Sequence, residues 1–218
     1  KQTDADPLKP GNIITFYSNT SIDGTWENGI TWNREHVWPK SLSGGIYNTL
    51  DDSDKNAGTD LHHIRPALTS INSSRGNKAY GTVTNEQTFY PGDEFIGDTA
   101  RILFYLTVRY DMSITGLKVC NDMSLLLSWN NTDKVDNLER NRNSSVQTIQ
   151  GNYNPFIDNP GFACAIWGNT NESTKQICSG SYIPEVPPTE PSDPDIKDEP
   201  VIEGGWTLVN NLSDLSSG

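Results

Sequence analysis

Thr31-Trp32-Asn33-Arg34-Glu35-His36-Val37-Trp38 reads as a β-strand stopped by Pro39. The segments after Pro39 decide the fold. Residues 41–59 are rich in Gly, Ser, Asp and Asn and read as a loop. Asp60 to Arg65 is a second strand-like piece, stopped by Pro66, and Asn72 opens a short helix. The chain has three histidines, His36, His62 and His63, and all fall on these two strand pieces. The predicted order is strand, strand, helix, with Glu35 and His36 on the first strand and Asn72 at the helix start.

Upstream, Ile13-Ile14-Thr15-Phe16-Tyr17 is a short apolar run that predicts another strand. Downstream the period changes. Asp98 is a good N-cap for an apolar run from Thr99 to Asp111, which reads as a buried helix. Residues 121–129 predict a second helix. Val135, Leu138, Arg142, Val146 and Ile149 recur at helical spacing, giving an amphipathic helix with one arginine on its inner stripe and Gly151 at its end. Pro155 to Pro160 reads as a rigid turn. The class is α+β, and the expected catalytic domain runs over 1–183. Residues 184–203 are a Pro- and acid-rich linker, and 204–218 read as the start of a truncated second domain. The chain starts abruptly in polar sequence, as a mature form or an excised fragment does.

The formal net charge is -12, which argues against a nucleic-acid partner if taken alone. The charge is uneven, however. Seven acidic residues against one lysine crowd into 184–203, while residues 1–183 carry 20 acidic and 15 basic residues. A mildly acidic body can hold a local basic groove. No stretch approaches the roughly 20 apolar residues of a membrane span. The cysteines are three, Cys120, Cys164 and Cys178, without metal-type spacing. Cys164 and Cys178 are open to pairing or to remaining a reduced, buried pair.

The strand–strand–helix residues have a logic for phosphodiester cleavage. An attacking water needs a base that titrates near neutrality, and histidine is the natural one. The leaving oxygen and the transition state need positive charge, which a hard cation on oxygen ligands supplies. Glu35 and the amide oxygen of Asn72 suit Mg²⁺, with Ca²⁺ or Mn²⁺ as stand-ins. A cation from Arg65, Lys55 or Arg75 would hold the phosphate.

The blocks Asn33-Arg34-Glu35-His36-Val37-Trp38-Pro39-Lys40-Ser41, Thr59-Asp60-Leu61-His62-His63-Ile64-Arg65-Pro66 and Asn72-Ser73-Ser74-Arg75-Gly76-Asn77 occur in this order. Gly97-Asp98-Thr99-Ala100-Arg101, Glu139-Arg140-Asn141-Arg142-Asn143 and Asn154-Pro155-Phe156-Ile157-Asp158-Asn159-Pro160 come after them. Over roughly residues 3–168 the chain resembles the endonuclease I family, secreted and periplasmic bacterial nucleases with a ββα-metal (His-Me finger) core. The resemblance implies that core within a mainly helical surround. It also implies a secreted, periplasmic or cell-surface enzyme that cuts DNA, and RNA as a second substrate, with little sequence preference and leaves 5′-phosphates. His36 would be the general base, oriented by the Gly58 carbonyl, and Glu35 and Asn72 would hold the metal.

Two departures stand out. The family's phosphate-binding arginine lies in a disulfide-bonded loop after the histidine, and residues 41–59 contain neither Arg nor Cys. Arg65 is the favoured replacement, with Lys55 as the other. The family's usual N-terminal helix is also missing. His63, Arg75 and Asn77 are further candidates for substrate contact, while His62 and Arg101, Arg109, Arg140 and Arg142 are expected in structural roles. No protein partner is implied. The rival readings are a non-catalytic surface module that binds nucleic acid or sugar, and a zinc hydrolase built on His36, His62 and His63.

Overall fold

The computed structural model describes residues 2–43 and 55–180. The expected linker and second-domain start lie outside those residues, as does most of the expected loop over 41–59.

Strand β1 (Asn12–Thr15) pairs antiparallel with β2 (Thr20–Asp23). Strand β3 (Trp32–His36) pairs antiparallel with β4 (Ile64–Leu68), and β4 runs straight into helix α1 (Thr69–Arg75). The expected strand–strand–helix order is therefore present, but two of its parts are displaced. Asp60 to His63 is a turn, not a strand. The Asp60 side chain accepts from the His62 amide at 2.8 Å, and its carbonyl accepts from the amides of His63 and Ile64. This is the local bonding by which aspartate starts turns. The strand begins only at Ile64 and passes through Pro66, which does not stop it. The sheet has two strands, so the proline's missing N–H is not needed on the outer edge, and its carbonyl accepts from the Phe16 amide at 2.7 Å. Asn72 lies in the middle of α1, not at its start; the N-cap is Leu68.

Short parallel strands β5 (Ala79–Tyr80) and β6 (Thr88–Phe89) lead to the helical part. It comprises α2 (Ile96–Tyr110), α3 (Met123–Thr132), α4 (Asn137–Gln150), α5 (Pro155–Asp158), α6 (Phe162–Trp167) and α7 (Glu172–Cys178). Helix α2 starts two residues before Asp98. Its first turn is served instead by Asp133, whose carboxylate accepts from the Gly97 amide at 2.8 Å. Gly97 is obligatory there, since a Cβ would lie 2.2 Å from the Asp133 carbonyl. The Pro155 to Pro160 segment forms the short helix α5, capped by Asn154. The predicted end of α4 holds, with Gly151 at φ +88. The inner stripe is shorter than expected: Arg142 and Val146 are buried, but Ile149 is 48% exposed.

The core lies between the strands and α2, with Phe16, Trp38, Leu103, Phe104, Leu106 and Leu127 fully enclosed. Each such side chain contributes about 1.5–3 kcal/mol by leaving water. Cys164 and Cys178 are disulfide-bonded, fixing α6 to α7. Among the described residues no helix is long and apolar enough to cross a membrane.

Candidate active site

Burial varies along β3. Trp32 and Glu35 are buried, Arg34 is exposed, and His36 is partly exposed at the strand's end. The His36 ring is held from behind. Its Nε2–H donates to the Gly58 carbonyl at 2.9 Å, the contact expected from the resemblance. That bond leaves the lone pair of the neutral ring on Nδ1. Gly58 is positioned by a one-turn helix, Ala57–Thr59, where Asn56 caps the Gly58 amide at 2.8 Å. Asp60 anchors the next turn, taking hydrogen bonds from Tyr105 and Tyr110 (2.7 Å each) and from Gln150 (3.0 Å). Burial lowers the His36 pKa below its ordinary value. The Gly58 bond pulls it up, and the charges of Lys40, Arg34 and Arg75 push it down again. A lowered pKa favours the neutral form of the ring, the form a general base uses.

Glu35 is 2% exposed. Tyr17 donates to its Oε1 at 2.9 Å, and the Arg75 Nε lies 3.4 Å from the same oxygen. Tyr80 touches the Tyr17 hydroxyl at 2.6 Å and donates to the Val37 carbonyl at 2.8 Å. That carbonyl also accepts from Arg75 Nη2 at 2.7 Å. Burial raises the carboxyl pKa, against the pull of Arg75 and Tyr17. Both contacts fall on Oε1, so Oε2 is the oxygen available to a cation. Asn72 reaches back to β3, its amide nitrogen donating to Asn33 Oδ1 at 2.6 Å and lying 3.5 Å from the Arg34 carbonyl. Its amide oxygen is the atom it has to offer.

Several expected substrate residues have other tasks. Arg65 is not a phosphate cation. It is buried, with Nε bonded to Asp4 at 3.0 Å, Nη1 3.6 Å from Asp98, and its guanidinium over the Phe16 ring. Arg75 is enclosed beneath Glu35 and cannot reach a phosphate arriving from solvent. His63 is 0% exposed; it accepts from the Trp38 amide at 3.2 Å and packs edge-on against the His36 ring. Asn77 and Lys55 are exposed. Lys55 borders a surface hollow of about 700 Å³, shared with Asp60, Arg109, Tyr110 and Gln150. His62 bonds the Asn152 carbonyl at 3.2 Å, and Arg101 and Arg142 are buried in ion pairs, as expected, whereas Arg109 and Arg140, expected in internal ion pairs too, are exposed and make none among the described residues.

The zinc reading fails on this geometry. His62 is turned toward Asn152, and among the described residues no three His, Cys, Asp or Glu are grouped to hold a metal. The donor set that does fit is one carboxylate oxygen and one amide oxygen. Mg²⁺ is usually bound that way, with water and substrate completing its shell. Sequence reasoning missed Tyr17, Tyr80 and Asp60. Tyr17 ends a strand-like run and Tyr80 stands alone, and neither carries a local signal that it meets Glu35.

The fold and site define a mixed α+β protein with a histidine, a buried carboxylate and an amide gathered on a strand pair and the helix after it. The chain belongs to the endonuclease I family, whose model matches residues 3–161. It is 40% identical over 195 residues to an extracellular ribonuclease of Bacillus subtilis (strain 168), a match covering 77% of this chain and 65% of that protein. It is 26% identical over 164 residues to Endonuclease-1 of Buchnera aphidicola subsp. Acyrthosiphon pisum (strain APS), covering 67% and 64%. It is 24% identical over 152 residues to an extracellular deoxyribonuclease of Aeromonas hydrophila, covering 61% and 64%. The chain thus spans just under two thirds of the length of each.

Proposed function

We propose that this chain is a secreted, divalent-metal-dependent endonuclease with a His-Me finger core, cutting phosphodiester bonds in RNA and DNA with little sequence preference. The observation that carries this reading is the placement of His36. Its Nε2 is fixed on the Gly58 carbonyl, and its neighbour Glu35 has one carboxylate oxygen secured by Tyr17 and Arg75. His36 Nδ1 takes the proton of the attacking water, whose oxygen bonds to phosphorus as the bond to the 3′-oxygen breaks, and the leaving oxygen takes a proton from solvent water. Glu35 Oε2 and the Asn72 oxygen would hold Mg²⁺, which would supply positive charge for the phosphoryl and leaving oxygens. Arg75, enclosed and ion-paired, holds Glu35 in place. By family resemblance the products carry 5′-phosphates. Relatives named ribonuclease and deoxyribonuclease support both substrates, and those named extracellular support secretion.

The test incubates the full chain with plasmid DNA and with a structured RNA, with Mg²⁺ or with EDTA, beside the His36→Ala variant. Both the variant and the EDTA arm are expected to lose at least 100-fold in rate, since a positioned general base alone contributes about 10²–10⁴-fold. Undiminished cleavage by His36→Ala removes the base assignment, and undiminished cleavage in EDTA removes the metal.

A further inference from the structure

Arg65, Arg75, Arg101 and Arg142 are all buried in internal pairs, so none of them faces the substrate. An acidic chain must nonetheless attract a polyanion locally. Strand alternation brings forward Arg34. It lies two positions before His36 and so projects from the same face of β3, about 7 Å away along the strand. Arg34 is exposed, and no ion pair holds it among the described residues.

Exposure does not leave this side chain loose. Its guanidinium carbon lies 5.3 Å from the centroid of the Trp26 ring. Trp26 is braced in turn, edge-on against Trp32 at 4.9 Å, and the buried Trp32 donates its indole N–H to the Thr25 carbonyl at 3.1 Å. A guanidinium held over a ring by cation–π attraction keeps its N–H donors for an acceptor. Those donors match the paired oxygens of a phosphate. Trp26 remains 38% exposed, an uncommon setting for tryptophan in a chain with so many enclosed aromatics. Lys40, also exposed, adds positive charge that acts on His36.

We infer that Arg34, laid on Trp26, is the phosphate-binding cation of this site, gripping the nucleic-acid backbone next to the phosphate that His36 serves. The inference rests on the nuclease reading proposed for this site. It replaces the missing loop arginine with a residue of the strand itself. The contact is to backbone phosphate and is common to RNA and DNA.

The test uses the full chain carrying His36→Ala, so that bound substrate is not cut. Binding of a fluorescein-labelled single-stranded RNA, and of the DNA of the same sequence, is monitored by anisotropy across a salt series with Ca²⁺ present. Adding Arg34→Ala is expected to weaken binding roughly tenfold and to reduce the slope of log affinity against log salt by about 0.7. Adding Arg34→Lys or Trp26→Ala is expected to keep the slope and weaken binding less, because the charge remains and the stack is lost. Equal losses on RNA and DNA support a phosphate contact, and a loss on one alone overturns it in favour of a sugar or base contact. Unchanged affinity and slope in Arg34→Ala overturn the assignment while leaving the nuclease reading intact. If the His36→Ala parent binds neither strand, the nuclease reading falls and the subsite falls with it.

Discussion

At Glu35 a carboxylate sits almost wholly out of water with its Oε1 held by Tyr17 and Arg75. Such burial is costly for a charge unless it is paired and hydrogen-bonded, and here it is both. The arrangement occupies Oε1 and leaves Oε2 for the proposed metal, and partners behind a metal ligand typically tune affinity by 10–100-fold. Tyr17→Phe removes one donor and keeps the ring that packs against Phe16 and Phe89. Its affinity for Mn²⁺, titrated calorimetrically in the full chain, should fall about tenfold. An unchanged titration would mean that the tyrosine packs without positioning. The residues that touch the proposed chemistry, Glu35, His36 and Asn72, are legible in the sequence because each has its own donor chemistry. The hydroxyls behind them are not legible. A buried tyrosine looks the same in sequence whether its oxygen meets water, a carbonyl or a carboxylate. Arg65 misleads for a related reason. Pro66 makes its neighbourhood look rigid and exposed, while the decisive partner, Asp4, stands some sixty positions away in sequence.

Among elements, β4 shows how a proline misleads. In a wide sheet Pro66 would end the strand, but β3 and β4 form a two-stranded pair and the ladder continues past it. The Asp60 turn delays the strand's start to Ile64, four residues later than expected, and Asn72 arrives in mid-helix. Its amide still reaches β3, since α1 succeeds β4 without a loop. What secures β4 is the short N-terminal helix Gln2–Asp4. One oxygen of Asp4 accepts from Arg65 of β4 at 3.0 Å and from Arg142 of α4 at 2.8 Å. The three elements are locked through a single carboxylate. Burial would raise the Asp4 pKa, but Arg142 and Arg65 outweigh it and hold it at about 2. Asp4→Asn removes the charge that two buried guanidiniums share, leaving Arg65 with Asp98 at 3.6 Å and Arg142 with the Leu61 and Ile64 carbonyls. Breaking a buried pair from one side costs about 3–5 kcal/mol, so the urea midpoint at pH 7 should drop accordingly. A midpoint within about 0.5 kcal/mol of the parent would show that the two arginines find other acceptors.

For the whole molecule, the α+β class and the order of the long helices are readable because helical spacing survives any packing. The boundaries move where a tertiary partner wins, as when Asp133, not Asp98, serves the start of α2. The three histidines give the molecule a shared pH response that no single element shows. Each is pushed below its ordinary value, burial being the largest cause in every case. His62 is the cleanest to follow, because its ring bonds the Asn152 carbonyl and lies against the Tyr105 ring, apart from the proposed metal ligands. Its pKa falls from 6.5 to about 4, with Asp60 and the Asn152 bond pulling the other way. A depressed folded value means that the unfolded chain takes the proton first. The stability this group contributes is then complete above pH 6.5 and is lost as the pH falls toward 4. A shift of this size corresponds to about 3 kcal/mol of differential stability. Urea midpoints should therefore stay level above pH 6.5 and decline steadily down to pH 4. His62→Gln keeps a donor for the Asn152 carbonyl but cannot titrate, so its midpoint should decline less over that interval while the residual slope reports His63 and His36. If the variant and the parent decline in parallel, burial of His62 is not what makes the fold sensitive to acid, and the source must be sought among the carboxylates.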